Sequence, residues 1–190
     1  MVAQHGNVRT SRSHPIRIDE VQAGDAGGVI GLTFCPGKCG PSVSDYRWER
    51  DLAADLDAIA RWSPVAIVTL LEKNEFAMLG VAHLGEQIRA RGIEWHHLPI
   101  VDVRPPDQRF EDAWRTSGPR LVGLLRGGDK VLVHCRGGLG RAGTVAARLL
   151  VEIGVPADEA IARVRAARPG AIETHDQMRY VLALATRGTP

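Results

Sequence analysis

Short continuous apolar runs alternate along the chain with stretches of helical periodicity. The runs "VAIVTLL", "IEWHHLPI" and "KVLVHC" have the length and composition of buried parallel strands. Before the first of them, Leu52, Leu56 and Ile59 share one face of a helix that ends at Ser63–Pro64. This alternation predicts an α/β fold with a central, mostly parallel sheet of four to five strands flanked by helices.

Turn and capping residues predict where the other elements begin and end. The turn signal "AGDAGG" separates "IRIDEV" from Val29–Phe34 and predicts an N-terminal hairpin. Asn74 is positioned to cap a helix over residues 75–91 that Gly92 ends. Asp107 opens the next helix, which the Ser117-Gly118-Pro119 segment is expected to interrupt.

The C-terminal third is predicted to be helical. Val145 and Leu149 lie on one face of a helix ending at Gly154, Pro156 suits the first turn of the next helix, and a last helix follows Thr174. The polar N-terminus lacks such a pattern. We therefore expect a mobile tail over residues 1–15 and a single domain over residues 16–187.

Composition and charge narrow the possible partners. The chain has 190 residues and a net charge of +2, which is too small to indicate nucleic-acid binding. No apolar run reaches the roughly 18 residues of a membrane span, and the N-terminus lacks the apolar centre of a signal peptide. Three cysteines do not form a paired disulfide framework. We expect a cytoplasmic monomer that binds neither nucleic acid nor membranes.

The segment "VLVHCRGGLGRAGT" carries the clearest chemical signal. An apolar strand leads into Cys135, a glycine-rich loop and then a helix. Glycines allow successive backbone N–H groups to surround an anion, and the helix N-terminus adds its positive dipole end. The expected occupant is phosphate or another oxyanion, held by the residues between Cys135 and Arg141, namely Arg136, Gly137, Gly138, Leu139 and Gly140.

The same surroundings favour a reactive cysteine. The N–H groups, the helix dipole and Arg141 all stabilise a thiolate, so Cys135 is a candidate nucleophile. Arg141 offers a planar fork for two phosphoryl oxygens. His134 precedes Cys135 on the strand and points to the opposite face, so we expect it to orient the loop rather than to act as a base.

A second interpretation of this loop is nucleotide binding. The segment "GLGRAG" matches the G-x-G-x-x-G pattern between a strand and a helix. A dinucleotide fold also needs a second parallel strand with an acidic residue about 20 residues later. That place holds "PADEAIARVRAARPG", which has a helical pattern. Nucleotide binding therefore stays as the alternative.

The His134-Cys135 pair, five residues and Arg141 resemble the signature loop of the cysteine-dependent protein tyrosine and dual-specificity phosphatases. The segments "GLTFCPGKCG", "LPIVDVRPPD" and "GAIETHDQMRYV" resemble the kinase-associated phosphatase branch, and the similarity runs from about residue 28 to 184. The resemblance implies a protein tyrosine phosphatase-like fold. It also implies hydrolysis of phosphorylated proteins or peptides through a cysteinyl-phosphate intermediate, without a metal or other cofactor.

The resemblance also assigns supporting residues. It places the general acid at Asp102, on a loop after the strand that precedes the catalytic one; Asp107 is the competitor, with a second interpretation as a helix N-cap. Gln177 matches a glutamine that positions the hydrolytic water, but Thr174-x-x-Gln177 is also a capping box, and both interpretations stay open.

Two further features bear on activity. Relatives usually carry Ser or Thr directly after the loop arginine, whereas this chain has Ala142, which leaves a phosphate-binding pseudophosphatase as a third interpretation. Cys35 and Cys39 lack the further ligands of a zinc site, so we expect no metal there and a loop packed beside the active site.

The loop insert also predicts the substrate class. It contains one cation, Arg136, with Leu139 where a second would meet further phosphates of an inositol ring. We expect phosphotyrosine peptides to be preferred over polyphosphorylated inositol lipids, with phosphoserine and phosphothreonine left open.

Overall fold

The computed structural model describes residues 7–24, 27–42 and 45–184. Eight strands lie in these ranges: β1 (Asn7–Arg9), β2 (Asp19–Gln22), β3 (Val29–Phe34), β4 (Cys39–Pro41), β5 (Tyr46–Glu49), β6 (Ala66–Thr69), β7 (Glu94–His97) and β8 (Lys130–Cys135). The same ranges contain seven helices: α1 (Leu52–Trp62), α2 (Lys73–Met78), α3 (Leu84–Ala90), α4 (Gln108–Arg126), α5 (Gly140–Ile153), α6 (Ala157–Ala167) and α7 (His175–Leu184).

The main sheet has five strands in the order β2-β3-β8-β6-β7. Only β2 runs antiparallel, as the first arm of the predicted hairpin with β3. The central strand β8 pairs in parallel with β3 on one side and β6 on the other. The predicted fold class and the hairpin are therefore confirmed. Parallel strands bring their carboxyl ends to one edge of the sheet, and Cys135 ends β8 at that edge.

Helices cover both faces of this sheet, and each face has its own apolar cluster. Val131 and Val133 face a cluster that contains residues of α4, α5 and α6. Leu132 faces the opposite cluster with residues of α1 and α3. A strand buried on both faces has no polar positions to alternate with, which explains its continuous apolar sequence.

The sequence analysis missed a second, three-stranded sheet of order β1-β5-β4. Its strands have only three or four residues, too few to show a period of two. β1 pairs in parallel with β5, and the Arg9 guanidinium lies 3.8 Å from the centre of the Tyr46 ring. Strand β1 therefore lies within the segment expected to be a mobile tail, and the bounds of tail and domain stay predictions. Residues 1–6 of that tail and 185–187 of the expected domain lie outside the described residues.

The helix predicted over residues 75–91 is in fact two helices, α2 and α3. Gly80 between them has φ of +71°, which ends the helical path. The carbonyl of Leu79 instead accepts a hydrogen bond from the backbone of Cys39 at 2.8 Å. The cap is Glu72 rather than Asn74, in a reciprocal capping box with Glu75.

The interruption predicted at Ser117-Gly118-Pro119 is also wrong, because α4 continues through Pro119. Inside a helix, proline loses one hydrogen bond and crowds the preceding turn, but its further clash with the Cβ of the preceding residue is absent here because residue 118 is glycine. Asp107 caps this helix as predicted, through a 3.1 Å hydrogen bond from the Phe110 N–H. Within residues 7–24, 27–42 and 45–184, no helix combines the length and the apolar composition needed to cross a bilayer.

Candidate active site

The glycine-rich loop joins the end of β8 to the start of α5. Cys135 is only 3% exposed, and its Sγ accepts a hydrogen bond from the Gly138 N–H at 3.1 Å. Gly138 has φ of +72°, and a Cβ there would lie 2.3 Å from the Thr33 carbonyl oxygen. The loop closes over the sulfur only because this position is glycine.

Arg141, in the first turn of α5, lies buried at the same site. Its guanidinium donates to both carboxylate oxygens of Glu75, at 2.6 and 2.9 Å, and to the Ile100 carbonyl at 3.1 Å. Burial alone would lower the pKa of Arg141, but the Glu75 carboxylate holds it above its ordinary value. Its Nε is buried and has no partner in the described part of the chain, so one donor stays available at the loop.

Glu75 is a site residue that the sequence analysis missed. It lies in the first turn of α2, is 5% exposed, and also accepts a hydrogen bond from the Glu72 N–H at 2.8 Å. The Glu72-x-x-Glu75 capping box directly after the strand β6 was the available signal. The pairing with Arg141, 66 residues away, has no local signature.

Asp102 lies on the loop after β7, close to Arg141. Its Oδ1 is 2.9 Å from Arg141 Nη2, and the side chain is 54% exposed. The next residue, Val103, has φ of +56°, which is unfavourable for a β-branched side chain. The structure thus brings the predicted acid to the loop arginine on an exposed, strained segment.

Asp107 has different surroundings. Burial would raise its pKa, but hydrogen bonds from the Phe110 N–H and the Arg109 guanidinium hold it below its ordinary value. These contacts are those of a helix cap, and Asp107 does not line the cavity beside the loop. The geometry therefore favours Asp102 for chemistry at Cys135.

His134 is fully buried on the sheet. Its Nε2 is 2.8 Å from Thr69 Oγ1, and that hydroxyl also accepts from the Trp95 indole at 2.9 Å. Burial lowers the pKa of His134 to about 3, so the ring is neutral at pH 7. These bonds tie β8 to β6 and β7, and the orientation of the loop by His134 stays a prediction.

Gln177 forms both hydrogen bonds of the predicted capping box with Thr174. Its Oε1 accepts from the Thr174 N–H at 3.3 Å, and its own N–H donates to Thr174 Oγ1 at 3.1 Å. Its amide nitrogen donates to the Arg104 carbonyl at 3.2 Å. A Cβ on Gly140 would lie 2.9 Å from both amide atoms, so the side chain also lies against the start of α5.

Glu173 is a second carboxylate that the sequence analysis did not assign to the site. Its Oε2 accepts from the Gly140 N–H at 2.8 Å, at the N-terminus of α5. A carboxylate is favourable there because of the helix dipole. Glu173 therefore accepts the hydrogen bond of an N–H group that a bound oxyanion would otherwise use.

A cavity of about 410 Å³ lies over the loop. Arg136, Gly137 and Leu139 form its floor, and Asp102 and Glu173 contribute the two carboxylates. Further lining residues come from β3, the segment that follows it and the three-stranded sheet; they include Phe34, Lys38, Cys39, Tyr46 and Trp48. The site is thus larger than a phosphate needs and extends towards the segment that follows β3.

Cys35 and Cys39 pack beside the loop, as expected. The Cys35 N–H donates to the Arg136 carbonyl at 3.3 Å, and Cys39 lines the cavity. Burial raises the pKa of the Cys35 thiol well above its ordinary value, so this thiol is neutral. Among the described residues, no three His, Cys, Asp or Glu side chains are grouped as metal ligands.

The dinucleotide interpretation of "GLGRAG" fails on topology. Helix α6 directly follows α5, where a dinucleotide-binding unit needs a second parallel strand. The loop itself lies at the carboxyl edge of the sheet, directly after the cysteine that ends β8. The chemistry available here is attack of a thiolate on a bound phosphoryl group.

Comparisons with known proteins agree with this geometry. Residues 51–181 match the family described as "PTP-SAK: Swiss Army Knife protein, DSP-PTPase phosphatase domain". The chain is 31% identical over 155 residues to cyclin-dependent kinase inhibitor 3 of Rattus norvegicus, covering 80% of this chain and 69% of that protein.

Solved structures show the same fold. The crystal structure of kinase associated phosphatase with its catalytic-site cysteine replaced by serine has a TM-score of 0.78 and 27% identity, covering 91% of this chain and 96% of that chain. Tk-PTP in its active form has a TM-score of 0.64 and 31% identity, covering 88% and 98% of the two chains. The chain therefore belongs to the dual-specificity protein tyrosine phosphatase family of hydrolases.

Proposed function

We propose that this chain hydrolyses phosphotyrosine in proteins through a cysteinyl-phosphate intermediate on Cys135, with phosphoserine and phosphothreonine as further candidate substrates. The observation that supports it most strongly is the meeting of three groups at one loop. Cys135 Sγ accepts from the loop backbone, Arg141 is buried in the first turn of the next helix, and Asp102 contacts Arg141 at 2.9 Å.

In the first step, the loop binds the phosphoryl group and the Cys135 thiolate attacks phosphorus. The S–P bond forms as the P–O bond to the leaving group breaks, and Asp102 gives its proton to the leaving oxygen. The loop N–H groups and Arg141 stabilise the charge on the phosphoryl oxygens. Glu75 keeps the guanidinium in place throughout.

In the second step, water attacks phosphorus and the S–P bond breaks, returning its electron pair to Cys135. Asp102, now ionised, takes the proton from the water. Gln177 is our candidate for positioning that water, since its amide lies against Gly140 at the loop.

The substrate class follows from the loop insert and the cavity. Arg136 is the one cation among Arg136–Gly140, so further ring phosphates of an inositol lipid would meet little positive charge from the loop. The aromatic wall of the cavity suits the ring of phosphotyrosine. We expect kcat/KM for phosphotyrosine peptides to exceed that for a soluble phosphoinositide by at least about tenfold.

The decisive experiment is Cys135→Ser, with para-nitrophenyl phosphate as substrate and vanadate as ligand. The nest of N–H groups and Arg141 survive this change, so we expect vanadate to bind while turnover is lost. Thermal unfolding of both proteins checks that the fold is retained. Substantial turnover by the serine protein would show that another residue is the nucleophile.

Other sequence expectations stay predictions. These are a monomer, a cytoplasmic location, a single domain over residues 16–187, no cofactor, and no nucleic-acid or membrane partner. A reducing compartment suits the site, because Cys35, Cys39 and Cys135 are all free thiols.

A further inference from the structure

Lys38 is a buried lysine at the edge of the active site. It lies in the segment between β3 and β4 and is 8% exposed, yet it lines the cavity over the loop. Its Nζ donates to the Arg136 carbonyl at 3.3 Å. An ammonium group has three N–H donors, and one of them has a hydrogen-bond partner among the described residues.

Two aromatic rings enclose this ammonium. Lys38 Nζ is 4.5 Å from the centre of the Phe34 ring and 4.4 Å from that of Trp48. Such contacts stabilise a cation but do not neutralise it. The Arg50 guanidinium lies against the same rings and is already paired with the buried Asp55 carboxylate, at 2.7 and 2.8 Å.

Lys38 itself has no carboxylate within ion-pair distance in the described part of the chain. The two carboxylates of the cavity are engaged elsewhere, Asp102 by Arg141 and Glu173 by the Gly140 N–H. Burying a charged group without an opposite charge is costly. Burial lowers the pKa of Lys38 to about 8, and the neighbouring Arg50 guanidinium adds to the shift. Lys38 is thus mostly charged at pH 7, and no carboxylate of the described residues pairs with it.

We propose that Lys38 and Arg136 form a second anion subsite, which binds the carboxylate of an Asp or Glu next to the phosphorylated residue of the substrate. This inference rests on the proposed function and specifies its substrates as acidic phosphopeptides. Both cations line the same cavity as the loop, so one ligand reaches both sites. A single carboxylate fits better than a second phosphate, since Asp102 and Glu173 already add negative charge there.

The test compares two phosphotyrosine peptides that differ only in having Glu or Gln on both sides of the phosphotyrosine. Dissociation constants are measured with the Cys135→Ser protein, so that nothing is hydrolysed. We expect the Glu peptide to bind about tenfold more tightly, the scale of one charge-assisted hydrogen bond. Adding Lys38→Met should reduce this preference to about twofold or less. Adding Lys73→Met, which removes an exposed lysine on α2, should leave it intact.

A pH series on the unsubstituted protein tests the subsite without any variant. The ratio of kcat/KM for the two peptides should fall as pH rises through about 8, because Lys38 loses its proton there. Groups that act on both peptides alike cancel in this ratio. The titratable and charged groups around Lys38 are Cys35, Arg50, Cys135, Arg136, Asp102 and Glu173. A ratio that is constant from pH 6.5 to 9 would contradict the role of Lys38.

Each outcome separates this inference from the proposed function. Equal affinity for the two peptides overturns the acidic subsite and leaves the phosphatase function standing. Failure of both peptides to bind, with no turnover of an aryl phosphate, overturns both. Tighter binding of a soluble phosphoinositide than of either peptide assigns Lys38 to a lipid headgroup instead. If Lys38→Met does not fold, Arg136→Gln and the pH series decide.

Discussion

Asp102 and Asp107 are two carboxylates on neighbouring segments whose contacts differ. Asp102 contacts the buried guanidinium of Arg141, whereas Asp107 bonds to the backbone of α4. Asp102→Asn should lower kcat by about a hundredfold or more, since it removes the proton donor. Asp107→Asn should leave kcat nearly unchanged and cost at most about 1 kcal/mol of stability through a weakened cap.

Steady-state kinetics over a range of pH distinguish the two roles. The limb of the pH profile that reports the acid should flatten only in Asp102→Asn. If Asp107→Asn shows the larger loss of kcat, the acid has been assigned to the wrong carboxylate.

Ala142 is buried directly after Arg141, in the position where relatives carry a hydroxyl. A hydroxyl there would donate to the Cys135 sulfur as it leaves phosphorus. We therefore expect a burst of leaving group in rapid mixing, followed by a slow steady state. Ala142→Ser should shorten the life of the intermediate and reduce the burst. A reaction without any burst would mean that hydrolysis of the intermediate is not rate-limiting.

At the scale of elements, α2 holds the Arg141 guanidinium although this helix lies outside the loop. Glu75 lies in the first turn of α2, in the capping box with Glu72, and binds Arg141 through both oxygens. Glu75→Gln leaves the buried guanidinium with only the exposed Asp102 as a charge partner, which should lower the free energy of unfolding by about 3 kcal/mol. Because Arg141 is then less well positioned, KM for an aryl phosphate should rise more than kcat falls.

Denaturant unfolding and the separate measurement of KM and kcat check this expectation. Glu159→Gln is a matched control, since Glu159 makes only an exposed pair with Arg163 on α6. Equal stability of Glu75→Gln and the unsubstituted protein would show that the pair contributes little.

At the scale of the whole molecule, the buried His134 makes the stability of the folded protein depend on pH. Its pKa is lowered to about 3 in the folded protein, against about 6.5 for an unfolded chain. The unfolded state therefore binds one more proton between these values. Stability from this group is fully present above about pH 6.5 and is lost as the pH falls towards 3, with a slope of about 1.4 kcal/mol per pH unit.

Thermal or denaturant unfolding from pH 7 to 4 measures this slope. His134→Asn should lower stability at pH 7 and flatten the pH dependence, whereas His175→Asn, at an exposed position on α7, should change neither. A slope that persists in His134→Asn would assign the pH dependence to other groups.

The sequence alone determined the features that depend on neighbouring residues. The strand β8, the glycine-rich loop, Cys135 and Arg141 lie within one short segment, so their chemistry follows from local geometry. The alternation of the main-sheet strands β3, β6, β7 and β8 with helices likewise follows from periodicity and turn residues. Periodicity was misleading at Gly80, where the backbone turns, and the helix-breaking tendency of proline was misleading at Pro119, which a glycine precedes.

Only the tertiary structure decided which distant side chains complete the site. Glu75 reaches Arg141 across 66 residues, Glu173 reaches Gly140 across 33, and Lys38 reaches Arg136 across 98. The three-stranded sheet that forms the cavity wall consists of strands too short to show a period. These contacts arise because parallel strands bring the segments that follow them to one edge of the sheet, and no local pattern in the sequence encodes which of those segments meet there.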